Sequence, residues 1–129
     1  MKIFITNTGF YNCKTNFVDD NNVMLGYDTE QDCCENADWF IAGKPTKEIV
    51  ERREDDIPEL IGWDFDPSYF AKVEPSECEQ LDSGGMVIFK ITNKEEQAKF
   101  IHLYNCHNGY YGHGFTFQVG EKTVQEDCL

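Results

Sequence analysis

The chain has 129 residues, of which 40% are hydrophobic and 14% aromatic. That length suits a single domain over residues 1–129, and so much apolar surface excludes an intrinsically disordered protein. Lysine and arginine number 11 against 24 aspartate and glutamate residues, which gives a formal net charge of −13. Because contacts to phosphate require cations, this charge argues against direct binding to nucleic acid.

The sequence contains no apolar run of the roughly 18 residues that a membrane-spanning helix needs. Its first residues lack the apolar stretch and small-residue cleavage site of a signal peptide, so we expect a cytoplasmic protein that does not act at a membrane. In that compartment the six cysteines are expected to be free thiols rather than disulfides.

The first part of the chain is predicted to begin with short strands. Residues 1–6 and 23–27 are apolar enough for strands, and the polar run at 19–22 is typical of a turn. Residues 46–53 are predicted to form a short helix. Residues 57–73 combine prolines with aromatic residues, which indicates an irregular segment with some strand.

Residues 29–42 are predicted to form the main helix. Thr29 and Asp32 match a capping box, and Gly43 and Pro45 supply a stop. The apolar residues at helical spacing are Cys33, Cys34, Ala37, Phe40 and Ile41. Their spacing places them on one face of a helix with 3.6 residues per turn.

The last part of the chain is predicted to form three antiparallel strands, at residues 86–92, 98–106 and 110–119. Asn108-Gly109 is a strong signal for a two-residue hairpin turn between the last two of them. The predicted fold class is therefore α+β, in which a C-terminal β-meander packs against the helix at 29–42.

A two-residue turn fixes which residues face each other across this hairpin. One face would then carry Phe100, His102, Tyr104, Cys106, Tyr111, His113, Phe115 and Phe117. Cysteine sulfur and histidine nitrogen are the ligands that zinc prefers. The sequence therefore predicts a zinc site at Cys106, His113 and His102, with Cys33 or Cys34 as the fourth ligand if the helix covers this face.

Other uses of the same residues stay open at this stage. The cluster can be an aromatic core with hydrogen-bonded histidines, in which case no cofactor is expected. Cys106 with a neighbouring histidine can instead form a nucleophilic pair, although the local sequence does not match known cysteine hydrolases. A third use is a binding surface made of His107, Asn108, Tyr110 and Tyr111.

Two segments of the chain resemble a known family. The segments are Asp32-Cys33-Cys34-Glu35 and the run from Asn105 to Phe115, which contains Asn-Gly-Tyr-Tyr-Gly-His-Gly-Phe. They are similar to those of small, uncharacterised bacterial and phage domains. The resemblance implies a phage or prophage setting and no catalytic residues, and it favours contact between Cys33 or Cys34 and the later segment.

The sequence as a whole favours a non-enzymatic accessory protein that binds another macromolecule. Its negative charge would steer it to a protein partner with a basic surface. The alternatives are a small zinc-binding module and a Cys-His enzyme. The net charge also has a simpler explanation, which is solubility.

Overall fold

The computed structural model describes residues 1–7, 13–31, 33–53, 57–107, 109 and 111–129. Within these ranges the chain is built almost entirely from antiparallel strands. The strands are β1 (Lys2–Asn7), β2 (Cys13–Val18), β3 (Val23–Asp28), β4 (Asn36–Ala42), β5 (Asp64–Val73), β6 (Gly85–Thr92), β7 (Ala98–Cys106), β8 (Gly114–Val119) and β9 (Lys122–Cys128). Two 3₁₀ turns, Pro75–Glu77 and Glu79–Leu81, lie between β5 and β6.

The strands form two sheets that face each other. Sheet I has the order β1-β2-β3-β8-β9, and sheet II has the order β4-β7-β6-β5. The chain crosses between the sheets twice near one end, after β3 and after β7. The two crossing segments, residues 29–35 and 107–113, carry Cys33, Cys34, His107 and His113, whereas His102 and Cys106 lie in β7.

The main hydrophobic core lies between the two sheets. Phe17 of sheet I packs edge-on against Trp39 of sheet II, with ring centroids 5.1 Å apart. Phe89 of sheet II contacts both Phe115 and Phe117 of sheet I. Aromatic pairs of this kind add about 0.5–1.5 kcal/mol each beyond the area that they bury.

The outer face of sheet II is also buried, under a second apolar cluster. This cluster contains Phe40, Val73, Cys78, Leu81, Met86, Ile88, Phe100 and Tyr104. Cys78 and Leu81 come from the segment of the two 3₁₀ turns, and Ile49 packs against the cluster from residues 43–53. Sheet II is therefore covered on both faces.

The predicted α+β class is wrong, because the structure has strand β4 where the main helix was expected. Trp39 faces the main core and Phe40 the second cluster, so the run from Trp39 to Ala42 is apolar on both faces. Such a doubly buried strand cannot be told from a buried helix by periodicity. Asp32 of the expected capping box lies outside the described residues, and residues 46–53 form no helix.

The predicted pairing of the last two strands is also wrong. β7 does not pair with β8, because β4 and β6 already occupy both of its edges. β8 instead lies in sheet I between β3 and β9. The predicted hairpin between residues 86–92 and 98–106 is confirmed, as are the strands near residues 1–6 and 23–27.

Candidate functional site

The segment before β4, which contains Cys33 and Cys34, and the end of β7, which contains Cys106, meet at one end of the sandwich. Asn36 at the start of β4 lies opposite Cys106 at the end of β7, so residues just before β4 lie beside residues just after β7. The N–H of Ser83 donates to the carbonyl of His107 over 2.8 Å, which brings the segment before β6 to the same place. We call this region, residues 33–35, 82–83, 105–107 and 111–113, the cysteine junction.

A cleft of about 220 Å³ opens in the cysteine junction. It is lined by Cys34, Glu35, Asp82, Cys106 and His107. The Nδ1 atom of His107 accepts a hydrogen bond of 2.8 Å from the N–H of Gly109, which orients the ring. Residues of the first cysteine segment and of the later one therefore line one cleft.

Cys33 and Cys34 form an exposed pair of thiols beside this cleft. Interaction with the Cys33 side chain raises the pKa of the Cys34 thiol. The Cys33 side chain also raises the pKa of the Tyr111 hydroxyl. The N–H of Cys33 donates to Oε1 of Glu35 over 3.0 Å, so the backbone of the pair is held as well.

Glu35 and His113 are buried together behind the thiol pair. Nε2 of His113 lies 3.9 Å from Oε1 of Glu35, and neither side chain is exposed. Nδ1 of His113 lies 2.8 Å from the carbonyl oxygen of Asp28. Because a carbonyl only accepts, Nδ1 carries a proton there. The pair thus joins the segment before β4, the end of β3 and the segment before β8.

Asn105 anchors the same region from β7. Its buried side-chain amide donates to the carbonyl of Tyr111 over 2.8 Å and to the main-chain oxygen of Leu129 over 2.9 Å. The main chains of His113 and Leu129 also exchange two hydrogen bonds. These contacts fix the position of Tyr111 relative to the thiol pair.

His102 lies elsewhere, on the outer face of sheet II. Its ring stacks on Phe40 with centroids 4.3 Å apart. Nε2 accepts a hydrogen bond from the N–H of Thr46 over 3.1 Å, and Nδ1 lies 3.1 Å from the carbonyl of Phe100. Burial lowers the pKa of His102 to about 4, so the ring is neutral at pH 7.

The four residues predicted as zinc ligands are distributed over three places. Cys34 and Cys106 line the cleft, His113 lies buried beside Glu35, and His102 lies in the second apolar cluster. Across the described ranges, no group of three or more histidine, cysteine, aspartate or glutamate side chains is placed to hold a metal ion. The predicted common face is wrong because β7 and β8 belong to different sheets. Zinc as a cofactor stays a prediction from the sequence.

The chemistry of Cys106 does not favour the nucleophilic pair. The thiol is half-buried, and burial first, then Cys78 and Glu51, raise its pKa to about 11. Only about one thiol in ten thousand would be a thiolate at pH 7, because each pKa unit changes the ratio tenfold. Nucleophilic cysteines have lowered pKa values, so this environment suits a structural thiol.

The predicted binding surface is described only in part. His107 and Tyr111 are half-buried in the cysteine junction, where both contact other parts of the chain. Asn108 and Tyr110 lie outside the described residues. Sequence reasoning missed Glu35 and Asp82 as lining residues. Glu35 directly follows Cys33 and Cys34 in the sequence, so the motif could have indicated it. Asp82 is distant in the sequence from the other lining residues, and no local pattern marks it.

A second surface concentrates negative charge. A groove of about 510 Å³ is lined by Lys47, Glu48, Ile49, Glu77, Cys78, Glu79 and Gln80. The N–H of Ile49 donates to Oε1 of Gln80 over 2.9 Å, which joins the two walls. Glu77, Cys78, Glu79 and Gln80 form one wall and belong to the segment 74–82, which has no lysine or arginine and carries four exposed carboxylates, Glu74, Glu77, Glu79 and Asp82. We call the groove together with the segment 74–82 the acidic groove.

A family model described as "Domain of unknown function (DUF7448)" matches residues 10–117. The comparisons with curated proteins and with solved structures gave no match. Within the described residues there is no helix of the length and apolarity that crossing a membrane requires.

Proposed function

The chain belongs to this family of domains of unknown function, and from that premise we propose that it is a non-enzymatic binding module whose acidic groove docks on a basic protein partner. The predicted resemblance to a family without assigned activity is thereby confirmed. The phage or prophage setting that the resemblance implied stays a prediction.

The acidic groove is the observation that supports this proposal. Its segment at residues 74–82 is anchored by the buried side chains of Cys78 and Leu81, while the carboxylates of this segment are exposed to solvent. On the opposite wall Lys47 pairs with Glu77, so one cation is already engaged within the groove. A rigid row of exposed carboxylates attracts lysine and arginine side chains and repels phosphate, which favours a protein over a nucleic acid.

The neutral state of Cys106 supports a binding role over a catalytic one. A thiol with a pKa of about 11 supplies little nucleophile at neutral pH. The ring of His107 is oriented by the hydrogen bond that it accepts from the N–H of Gly109. Among the described contacts, none joins this ring to the Cys106 thiol. The Cys-His enzyme therefore has less support than the binding module.

The test compares two variants with equal charge changes. The groove variant carries Glu48→Gln, Glu74→Gln, Glu79→Gln and Asp82→Asn, and the control carries Glu95→Gln, Glu96→Gln, Glu121→Gln and Glu126→Gln. All eight residues are exposed. A synthetic arginine-rich peptide serves as the probe, and its binding is measured by calorimetry at low and at physiological salt.

We expect the groove variant to bind at least about tenfold more weakly, and the control to keep most of its affinity. Exposed charge pairs contribute roughly 0.2–1 kcal/mol each, and about 1.4 kcal/mol corresponds to tenfold. Equal loss in both variants would show that only net charge matters, and the acidic groove would then not be the docking site.

A further inference from the structure

The outer face of sheet I carries a trough of about 480 Å³, which is separate from the cysteine junction and from the acidic groove. Small-molecule sites have volumes of roughly 300–1,000 Å³, so the trough has room for a ligand. Its main lining residues come from four neighbouring strands and are Lys14, Asn16, Gly26, Asp28, Thr116 and Glu126. We call this region the polar trough.

Gly26 forms the floor of the polar trough, and the fold itself does not require a glycine there. It lies in β3, the central strand of sheet I, which pairs with β2 and β8 without a register shift. Its φ lies outside the left-handed region, and among the described residues an added Cβ would meet only Oδ1 of Asn16, at 3.5 Å. Glycine weakens the interior of a strand, and where no bulge or bend explains it, it marks the close approach of a ligand or another backbone.

Asn16 directs a buried amide oxygen to this floor. The residue is only 7% exposed, and its Nδ2 donates to Oγ1 of Thr6 over 3.0 Å and to the carbonyl of Phe4 over 3.4 Å. Because a carbonyl only accepts, the nitrogen lies on that side and Oδ1 lies over Gly26. Among the described residues, no group donates to Oδ1. A ligand that supplies an N–H would satisfy this atom, which is costly to leave unpaired.

Two carboxylates lie on opposite sides of the floor. Gly26 pairs with Asn16 on one side and with Thr116 on the other, and Thr116 pairs with Glu126. Asp28 is a diagonal neighbour of Asn16, whereas Glu126 is on β9, two strand spacings or roughly 10 Å from β3. The described ion pairs of lysine and arginine involve other carboxylates. The two ends of the polar trough are thus both suited to a cation.

We propose that the polar trough binds a linear aliphatic polyamine. One terminal ammonium donates to Oδ1 of Asn16 and to the carboxylate of Asp28, the methylene chain crosses Gly26, and a second ammonium meets Glu126. An ammonium has three donors and no acceptor, which matches a site whose side chains accept at both ends. The net charge of −13 attracts such a cation to the molecule. A single ammonium, such as that of a lysine side chain, reaches only one end.

The experiment measures the binding of spermidine to the full chain by calorimetry in 0.15 M sodium chloride, where charges beyond about 8 Å are largely screened. Hexylamine and an end-blocked lysine peptide are the probes with one ammonium. Gly26→Val fills the floor without changing the charge, and the exposed Gly43→Val is its matched control, since nothing lies within 4 Å of an added Cβ there.

Three further variants separate local from general charge effects. Lys14→Gln removes the one cation among the described lining residues, which lies opposite Asp28, and Glu126→Gln removes an acceptor. The variant of the acidic groove with four neutralised carboxylates changes a different surface. It therefore distinguishes failure of this site from failure of the docking proposed above.

We expect wild type to bind spermidine at least about tenfold more tightly than either single-ammonium probe, and Gly26→Val to lose at least about tenfold in affinity. Its melting temperature should equal or exceed that of wild type, because valine favours strands. Lys14→Gln should bind about two- to fivefold more tightly and Glu126→Gln correspondingly more weakly, the range of exposed charge pairs. Gly43→Val and the variant of the acidic groove should keep most of the affinity.

Each alternative outcome would overturn the proposal. The absence of saturable binding, or undiminished binding to Gly26→Val, would mean that spermidine associates only through the net charge. A lowered melting temperature of Gly26→Val would mean that the glycine serves the fold. A lysine peptide that binds as tightly as spermidine would assign the polar trough to a side chain of a protein partner.

Discussion

His102 is a buried histidine whose two ring nitrogens have fixed roles. Nδ1 donates to the carbonyl of Phe100, and Nε2 accepts from the N–H of Thr46. A second proton would have to lie on Nε2, where it would face the N–H of Thr46 that now donates a hydrogen bond to Nε2. Together with burial, this explains why the folded protein holds the pKa of His102 at about 4, below its ordinary 6.5.

This lowered pKa predicts a loss of stability in acid. Below pH 6.5 the unfolded chain takes up a proton on His102 and the folded chain does not, so the free energy of unfolding falls as the pH falls towards 4. The full loss from this residue is about 3 kcal/mol, at about 1.4 kcal/mol for each pKa unit. Urea denaturation at a series of pH values measures it.

His102→Phe is the control, because phenylalanine keeps the stacking on Phe40 and cannot titrate. The variant should be less stable at pH 7, since Thr46 loses its acceptor, and its stability should fall less steeply between pH 6.5 and 4. Parallel pH profiles for the variant and the wild type would show that His102 is not the group that titrates.

Gly84 is a second residue at which a specific substitution should be costly, because its position leaves no room for a side chain. A Cβ atom there would lie 1.7 Å from the carbonyl oxygen of Asn105, which is backbone and cannot move aside. We expect Gly84→Ala to destabilise the protein by about 3 kcal/mol or more, at or above the usual range for overpacking. Gly43→Ala is the matched control, because nothing lies within 4 Å of its added Cβ. Thermal unfolding of both variants decides the matter, and similar melting temperatures would contradict the close approach.

At the scale of elements, the local sequence pattern was sufficient to predict a strand that pairs with its neighbour in the chain. β6 and β7 were predicted within one residue of their ends, because a short turn joins them and their residues favour strands. β4 was not predicted, because burial on both faces removes the alternation that marks a strand. The position of β8 was predicted wrongly for another reason. The sheet that a strand joins depends on which strand edges are already occupied by strands distant in the sequence.

The same distinction explains what was predicted of the site. Cys34, Cys106 and His107 were singled out by residue type, and they do line one cleft. The joint placement of His102 and His113 failed because it rested on the pairing of β7 with β8.

The two edges of sheet I differ in a way that predicts how the protein associates. β1 exposes Phe4 by 43% and Ile5 by 63% and has one charged side chain, Lys2 at its first residue, while β9 has three, Lys122, Glu126 and Asp127. Apolar stretches of an edge pair with other chains, and a lysine within the stretch prevents this. Ile5→Lys should therefore reduce self-association at high concentration, with a change in stability within about 0.5 kcal/mol.

Light scattering over a concentration series measures this association. Val124→Lys on β9 is the matched control, because it changes the net charge equally on the other edge and should have little effect. Both substitutions bring the net charge closer to zero, which by itself promotes association. A decrease in Ile5→Lys alone would therefore arise from the edge, and equal behaviour of the two variants would exclude β1 as the associating strand.

For the whole molecule, the net charge of −13 opposes folding through repulsion among carboxylates brought together in a compact chain. Salt shortens the screening length from about 30 Å at 0.01 M to about 8 Å at 0.15 M, so we expect the free energy of unfolding to rise over this range of sodium chloride. The ion pairs of Lys47 with Glu77 and of Lys72 with Glu74 act in the opposite direction, but they are exposed and weak.

The four-carboxylate groove variant removes part of the repulsion, so its stability should rise less with salt than that of the wild type. A fall in wild-type stability with salt would mean that the ion pairs outweigh the repulsion, and the acidic residues would then have to be distributed so that they stabilise the fold.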